Sequence, residues 1–251
     1  MKVVIIIPTY NERENIKSLI EALGRAVNCA NTILIVDDNS PDGTAEIVKK
    51  TRKQENNVVL LEGQKEGLGS AYLRGIDHAI KNLGAEIIVQ MDADFSHDPK
   101  DVPRLLAEIK NGHDLAIGSR YIKGGAVPAD WAFQRKVLSW GGNLLVRLLT
   151  GIWDVHEFTT SFRVFTVELY QKMNPENFGF EDNTFLPAFI VEAKRCGAKI
   201  KEVPIVFADR KKGRSKIEVL HYVPNLLKYL LTFRLCSRSS PLTKVRGLTK
   251  S

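Results

Sequence analysis

The chain of 251 residues is long enough for one large α/β domain, and its 44% hydrophobic and 26% charged residues exclude wholesale disorder. Its three widely spaced cysteines exclude a disulfide framework and a zinc-ligand pattern, and we interpret them as reduced cytosolic thiols. No apolar run has the roughly 18 residues that a membrane-spanning helix needs, and no secretory signal is recognisable.

The net charge of +7 is concentrated in the last part of the sequence. Residues 210–251 contain eleven lysines and arginines but one acidic residue, so this segment carries +10 and residues 1–209 carry −3. Such asymmetry predicts contact with an anion such as a phosphate group or an acidic lipid surface, and a solvated basic tail is the alternative. Aromatic residues are not interleaved with these cations as in nucleic-acid-binding segments, so we predict no nucleic-acid partner.

Short apolar runs and helical stripes alternate through the first half of the chain. Five runs predict strands that are buried on both faces, at residues 3–7, 33–36, 58–61, 87–91 and 115–117. Apolar residues at helical spacing follow each of the first four runs. This alternation is typical of an α/β fold with a doubly wound, mostly parallel sheet flanked by helices.

The second half of the chain is less regular. We find neither a repeat nor a low-complexity linker, so we predict a single domain over residues 1–216 with an amphipathic and basic C-terminal extension over residues 217–251. The element signals in this half are a helix, two strands and a last helix, at residues 133–149, 162–165, 201–207 and 217–235.

Two aspartates follow the fourth predicted strand, in the order Asp92-Ala93-Asp94. Carboxylates at this place lie at the edge of the sheet where α/β folds bind ligands, and two negative charges so close together repel unless a cation lies between them. Hard oxygen ligands suit Mg²⁺ or Mn²⁺. The pattern therefore favours a metal site, and a solvated loop or a helix cap is the alternative.

A second acidic pair, Asp37-Asp38, ends the second predicted strand at the same edge of the sheet. An acid there can bind the ribose or the base of a nucleotide, but the residues that follow are also dense in turn formers, and both interpretations can hold. The sequence contains neither Gly-x-Gly-x-x-Gly after the first strand nor a Walker A pattern, which argues against a dehydrogenase and a P-loop NTPase.

Four blocks of sequence, in this order, resemble the family 2 inverting glycosyltransferases: residues 6–12 (IIPTYNE), 36–44 (VDDNSPDGT), 91–97 (MDADFSH) and 118–121 (GSRY). The resemblance covers about residues 2–220 and is closest to the dolichol-phosphate or polyprenol-phosphate mannose synthases. It implies a GT-A-type fold. It also implies transfer of mannose from GDP-mannose to dolichyl or polyprenyl phosphate, with inversion, at a membrane surface.

The resemblance further implies roles for particular residues. Asp92 and Asp94 would hold the metal, Mg²⁺ or Mn²⁺, and Asp94 and Arg120 would be catalytic. The acceptor phosphate would be bound by Arg120, Arg135 and Ser139. An acceptor phosphate is already ionised and needs no strong base, so we interpret the five histidines as structural or surface residues. The nucleotide sugar would be bound by Pro8, Tyr10, Glu12, Val36, Asp38, Asp92, Ala93, Asp94, Arg120, Arg210 and Lys216.

Three features leave alternatives open. Glu157 stands where many members of the family have Asp, and residues 186–188 stand where many have Gln-x-Glu, which leaves acceptor or sugar specificity undecided. Glu181-Asp182 resembles the pair from which other members draw a base, and it also suits two exposed acids at a helix start. The alternatives are a transferase that uses another nucleotide sugar, such as a UDP-hexose, or a hydroxyl acceptor with Asp182 as base, and a non-catalytic nucleotide-sugar-binding protein.

Membrane attachment is a further expectation. The Leu-rich segment 137–149, with interleaved Trp and Arg, is typical of an interfacial helix and equally of a buried one. Many relatives continue into transmembrane helices, and none is predicted here. We therefore expect a cytoplasmic protein that lies peripherally on the cytoplasmic face of a membrane, through its own surface or through a small membrane subunit.

Overall fold

The computed structural model describes residues 1–27, 31–129, 131, 133–178, 180–208 and 224–233. Its strands are β1 (Val3–Thr9), β2 (Asn31–Asp37), β3 (Val58–Glu62), β4 (Ile87–Gln90), β5 (Leu115–Ser119), β6 (Arg163–Thr166) and β7 (Ile200–Pro204). Its α-helices are α1 (Ile16–Ala26), α2 (Thr44–Thr51), α3 (Leu68–Lys81), α4 (Val102–Lys110), α5 (Phe133–Thr150), α6 (Val167–Lys172), α7 (Phe185–Arg195) and α8 (residues 224–233).

The described strands form one sheet in the order β3-β2-β1-β4-β6-β5-β7. β6 is antiparallel to its neighbours β4 and β5, and the other pairs are parallel. In the middle of the sheet, Ile5 of β1 lies opposite Ile33 of β2 and Val89 of β4. The prediction of a doubly wound, mostly parallel α/β sheet is therefore confirmed.

Each face of the sheet is covered by its own apolar cluster. Side chains such as Ile5 and Ile7 pack with those of α1 and α4 on one face, and side chains such as Ile6 and Val36 pack with those of α3, α7 and α8 on the other. Gly75 allows α3 to approach the sheet closely, because a Cβ atom there would lie 2.7 Å from Ile6 Cγ2. Strands covered on both faces read as continuous apolar runs, which explains why β1 is detectable in the sequence.

The parallel strands β1, β2, β4 and β5 end at the same edge of the sheet. Their last residues lead into the segments that carry most of the predicted site residues, at 8–12, 37–44, 91–97 and 119–121. This edge is where ligands bind in open α/β sheets. The fold therefore brings distant parts of the sequence to one place.

The described part of the C-terminal extension packs against the domain. Leu226 and Leu230 of α8 are buried in the apolar cluster that contains α7, and Tyr229 contacts Phe180 with ring centroids 5.2 Å apart. In the parts of the chain that the structure describes, no helix combines the length and the apolar character that crossing a bilayer requires.

Candidate active site

A cavity of about 630 Å³ opens at the edge of the sheet where β1, β2, β4 and β5 end. Val36 does not line it, because this side chain is fully buried in the cluster beneath α3. Arg210 and Lys216 lie outside the described residues. The other predicted site residues all line the cavity: Pro8, Tyr10, Glu12, Asp38, Asp92, Ala93, Asp94, Arg120, Arg135 and Ser139.

The acidic pair after β4 is held by two serine hydroxyl groups. Ser161 Oγ donates to Asp92 Oδ1 over 2.6 Å, and Ser96 donates to Asp94 Oδ1 from both its backbone N (3.0 Å) and its Oγ (2.5 Å). The backbone of Phe95, between Asp94 and Ser96, is left-handed with φ 62°, a conformation that non-glycine residues adopt rarely and mostly where surrounding contacts enforce it. The turn is therefore fixed so that both carboxylates line the cavity.

His97, which we predicted to be structural or a surface residue, is buried beside the acidic pair and lines the cavity. The backbone N of Asp92 donates to His97 Nδ1 over 3.2 Å, so Nδ1 is the acceptor and Nε2 carries the proton. Burial lowers the pKa of His97, although Asp92 and Asp94 oppose the shift, and the ring is accordingly neutral at pH 7. Its face stacks on Phe162 with centroids 4.8 Å apart. His97 thus positions Asp92, a role that no pattern in the sequence indicates.

Arg120 and Glu157 form a buried, bidentate ion pair. Arg120 Nε and Nη2 donate to the two carboxylate oxygens over 2.7 and 2.8 Å, and Nη2 also donates to Thr159 Oγ1 over 2.8 Å. Burial alone would raise the pKa of Glu157, but the charge and hydrogen bonds of Arg120 and Thr159 outweigh it and lower that pKa. Burial likewise disfavours charged Arg120, yet Glu157 raises its pKa overall. The Glu157 carboxylate thus fixes the orientation of a cation in the cavity.

Helix α5 contributes a second cation, Arg135, to the cavity lining. Arg135 lies over the Trp131 ring with Cζ 3.8 Å from the centroid, which is close enough for a cation–π interaction. Ser139 Oγ accepts a hydrogen bond of 2.7 Å from Tyr121 Oη, which follows β5. The cavity is therefore lined by two guanidinium groups, those of Arg120 and Arg135, and by the hydroxyl group of Ser139.

The two acids at the end of β2 have different surroundings. Asp37 is a turn residue, since its carboxylate accepts hydrogen bonds from Thr9 Oγ1 (2.8 Å) and from the backbone N (2.9 Å) and Oγ (2.7 Å) of Ser40. Asp38 lines the cavity and forms an ion pair with Arg74. The turn interpretation therefore applies to Asp37, and binding of a nucleotide by Asp38 stays a prediction.

Asp182 also lines the cavity, but both of its carboxylate oxygens already accept hydrogen bonds. Oδ1 accepts from the backbone N of Thr184 at the start of α7, and Oδ2 accepts from Asn225 Nδ2 of α8, each over 2.8 Å. This arrangement is that of an acid at a helix start. It leaves Asp182 less suited to withdraw a proton than an acid whose oxygens face only the cavity.

The carboxylates of Asp92 and Asp94 suit a metal ion that takes some of its ligands from the protein and the others from a bound substrate. Within the described ranges, no group of three or more His, Cys, Asp and Glu side chains converges to hold an ion. Two carboxylates in a cavity suit Mg²⁺ or Mn²⁺, which commonly use one or two carboxylates and take their remaining ligands from phosphate oxygens and water.

Comparison with known proteins gives the family. Residues 4–173 match the family Glycosyl transferase family 2. The chain is 36% identical over 237 residues to the dolichol-phosphate mannosyltransferase of Pyrococcus furiosus, covering 91% of this chain but 64% of that longer protein. It is 37% identical to the polyprenol monophosphomannose synthase of Mycolicibacterium smegmatis, covering 86% of this chain and 81% of that protein. It is also 37% identical to the undecaprenyl-phosphate mannosyltransferase of Micrococcus luteus, covering 86% and 88%.

Among solved structures, the chain resembles glucosyl-3-phosphoglycerate synthase from Mycobacterium tuberculosis in complex with Mn²⁺, uridine diphosphate and glucosyl-3-phosphoglycerate. The TM-score is 0.66 at 18% identity, over 92% of this chain and 79% of that one. At this identity the likeness concerns the fold alone, and it confirms the predicted GT-A-type architecture. Because the family match covers most of the sequence, the chain belongs to glycosyl transferase family 2 and is a glycosyltransferase.

Proposed function

We propose that this glycosyltransferase moves mannose from GDP-mannose to a polyprenyl phosphate, with inversion at the anomeric carbon. One observation carries the proposal: a single cavity is lined by the acidic pair Asp92/Asp94 and by the cations Arg120 and Arg135. A nucleotide sugar and a lipid phosphate are both anions, and a metal for the diphosphate with fixed cations for the acceptor phosphate suits this pair of substrates. The names of the three relatives, each a mannosyltransferase or mannose synthase for a lipid phosphate, support this acceptor class.

The chemistry needs no proton transfer from the acceptor. An ionised phosphate oxygen attacks the anomeric carbon while the bond from that carbon to the nucleoside diphosphate breaks on the opposite face, which inverts the configuration. Arg120, oriented by Glu157, and Arg135 would hold the attacking phosphate. A divalent cation, Mg²⁺ or Mn²⁺, held by Asp92 and Asp94 would neutralise the charge that develops on the leaving diphosphate.

A donor and metal screen tests the proposal. The full chain is incubated with a polyprenyl phosphate and with radiolabelled GDP-mannose, GDP-glucose, UDP-glucose or UDP-galactose, each with Mg²⁺, Mn²⁺ or EDTA, and label in the lipid fraction is counted. We expect transfer from GDP-mannose in the presence of a divalent cation, and a β-linked product when the anomer is assigned by NMR. Transfer from a UDP-hexose alone, or undiminished transfer in EDTA, would refute the donor or the metal respectively.

Asp182→Asn separates a phosphate acceptor from a hydroxyl acceptor. A phosphate acceptor requires no base, so we expect the variant to keep most of the transfer activity of the wild type. A hydroxyl acceptor must lose a proton, and removal of a general base costs roughly 10²- to 10⁴-fold. Initial rates with saturating donor measure the effect, and thermal unfolding shows that the variant is folded. A loss of that size in a folded protein would favour the hydroxyl acceptor.

We also propose that α5 attaches the protein to the cytoplasmic face of a membrane. Phe133, Val137 and Trp140 are 79%, 49% and 58% exposed, at spacings of four and three residues that place them on one side of the helix. Residues 131–153 contain Arg135, Lys136 and Arg147 but no acidic residue. An apolar side with cations and no acids suits the interface of an anionic leaflet. Leu138, Ser139 and Gly142 of the same helix line the cavity, so the apolar tail of an acceptor could run from the bilayer along α5.

Vesicle co-sedimentation tests this attachment. Replacing Phe133 and Trp140 with Ser removes two large apolar side chains, each worth about 1.5–3 kcal/mol when fully buried, so we expect binding to vesicles with acidic lipid to fall at least about tenfold. Leu231→Ser, which removes an exposed apolar side chain of α8, is the matched control and should bind as the wild type does. High salt should release part of the wild type. If the wild type stays in the supernatant at low salt to the same extent with neutral and with acidic vesicles, a separate membrane subunit would instead bring the protein to the membrane.

A further inference from the structure

The side chain of Asp38 is held by a residue that does not itself line the cavity. Arg74, which projects from α3, contacts Asp38 Oδ1 through Nη2 in a partly buried ion pair. Asp38 is 7% exposed and belongs to the cavity wall. Arg74 also lies 3.8 Å from Glu66 Oε2 through Nη1. The guanidinium group of Arg74 therefore binds the Asp38 carboxylate and orients it in the cavity wall.

Gly63 provides the space that this guanidinium group occupies. A Cβ atom at position 63 would lie 2.6 Å from both Cζ and Nε of Arg74, closer than atoms can approach without displacement. The backbone N of Gly63 donates to the carbonyl oxygen of Asp37 over 2.9 Å, which fixes this residue beside the end of β2. Any side chain at position 63 would therefore push the arginine away from Asp38.

The arrangement is costly for Arg74 itself. Its Nε atom is buried and has no hydrogen-bond partner among the described residues, and a buried donor left unsatisfied costs stability. Burial raises the pKa of Asp38, and the neighbouring acids Asp37 and Glu66 act in the same direction, whereas Arg74 opposes them. The arginine thus favours the ionised carboxylate at a place where burial and two nearby acids disfavour it.

We infer that Arg74 and Gly63 are positioning residues that make the donor site selective for guanine nucleotides over uridine nucleotides. An ionised carboxylate offers only acceptors. Guanine presents two adjacent N–H donors, N1–H and the exocyclic amino group, which a carboxylate can accept together. Uracil presents one N–H flanked by two carbonyl oxygens, so a carboxylate can accept one hydrogen bond from it rather than two. The inference rests on the proposed use of a GDP-sugar and specifies how that nucleotide is chosen.

Nucleotide binding by matched variants tests the inference. Dissociation constants for GDP and UDP are measured calorimetrically with Mn²⁺ present for the wild type, Gly63→Ala, Arg74→Met and Arg74→Lys. Gly63→Ala keeps the charge of Arg74 and displaces it, whereas Arg74→Met removes it. A bidentate base contact discriminates by roughly 10- to 100-fold, so we expect GDP affinity to fall by about that factor in both variants while UDP affinity falls much less. Arg74→Lys, which keeps a positive charge at this position, should recover part of the loss.

The pH dependence gives a second readout that a merely structural role would not change. GDP binding needs ionised Asp38, so in Arg74→Met the affinity should be lost at a higher pH than in the wild type as the solution is acidified. Equal weakening of GDP and UDP, or an unchanged preference for GDP in both Gly63→Ala and Arg74→Met, would overturn the inference and leave the proposed function intact. A wild type that binds UDP as tightly as GDP would overturn the proposed donor and this inference together.

Discussion

The transfer activity of the Asp94→Asn variant is expected to be more than about 100-fold lower than that of the wild type, while the protein stays folded. A reduction of this size is typical when one key electrostatic group is removed from an active site. Asn keeps a carbonyl oxygen that can accept the hydrogen bonds of Ser96, so the turn at Phe95 persists. The negative charge, however, is gone. Of the carboxylates Asp92 and Asp94, one would remain to hold the divalent cation, and the leaving diphosphate would be less well neutralised.

Two measurements separate this electrostatic effect from a local rearrangement. Mn²⁺ binding in the presence of GDP, followed by electron paramagnetic resonance, should weaken in Asp94→Asn. Ser96→Ala is the matched control, because it removes a hydrogen bond of 2.5 Å from Asp94 and leaves the charge, and it should reduce transfer much less. Wild-type activity of a folded Asp94→Asn variant would show that the Asp94 carboxylate is not needed to hold the metal.

The parallel part of the fold is predictable because burial on both faces leaves a simple signal. β1, β2 and β4 each contain a continuous apolar run, and each is followed within a few residues by a polar segment that contributes to the cavity lining. Because parallel strands end at one edge of the sheet, these segments meet there, and Tyr10 and Asp92 line the same cavity. Pattern and topology are sufficient here, because no partner distant in sequence needs to be known.

Elements whose environment depends on distant packing are not predictable in this way. α7 is buried at every position from Phe185 to Ala193, so it has no polar side from which a helical stripe could be recognised. The strand predicted at residues 162–165 is present as β6, but nothing in its sequence indicates that it lies antiparallel between β4 and β5. It includes the fully buried Arg163, which donates to the carbonyl oxygens of Thr160 and Leu186. Full burial of an arginine is not expected until these carbonyl acceptors are known.

The same limit applies to the site. Val36 belongs to a block that resembles the family, but the alternation of side chains along β2 places it in the core beside Leu34. The ion pair of Arg120 with Glu157 joins residues 37 positions apart, and nothing in the local sequence around either residue indicates the other. Sequence therefore predicts which segments reach the cavity better than it predicts which side chains support them.

Glu157→Gln is expected to reduce both stability and activity, because it leaves the buried guanidinium group of Arg120 without a counter-charge. Removing one partner of a buried ion pair costs about 3–5 kcal/mol in free energy of unfolding, and Glu157 is fully buried. We expect transfer to fall by more than about 100-fold as well, since Arg120, which we propose holds the acceptor phosphate, would lose the carboxylate that orients it in the cavity. Denaturant unfolding and initial rates at saturating lipid phosphate measure the two effects.

The pH dependence identifies the ion pair as the cause. The pKa of Glu157 is lower in the folded protein than its ordinary value of 4.5, so the stability that its charge contributes is fully present above that value and is lost as the pH falls through the folded-state pKa. The stability difference between the wild type and Glu157→Gln should therefore be constant near neutral pH and shrink below about pH 4.5. Glu157→Asp keeps the charge on a side chain one methylene shorter, so it should recover activity in part. If Glu157→Asp were as impaired as Glu157→Gln at neutral pH, the length of the acid rather than its charge would determine where Arg120 lies.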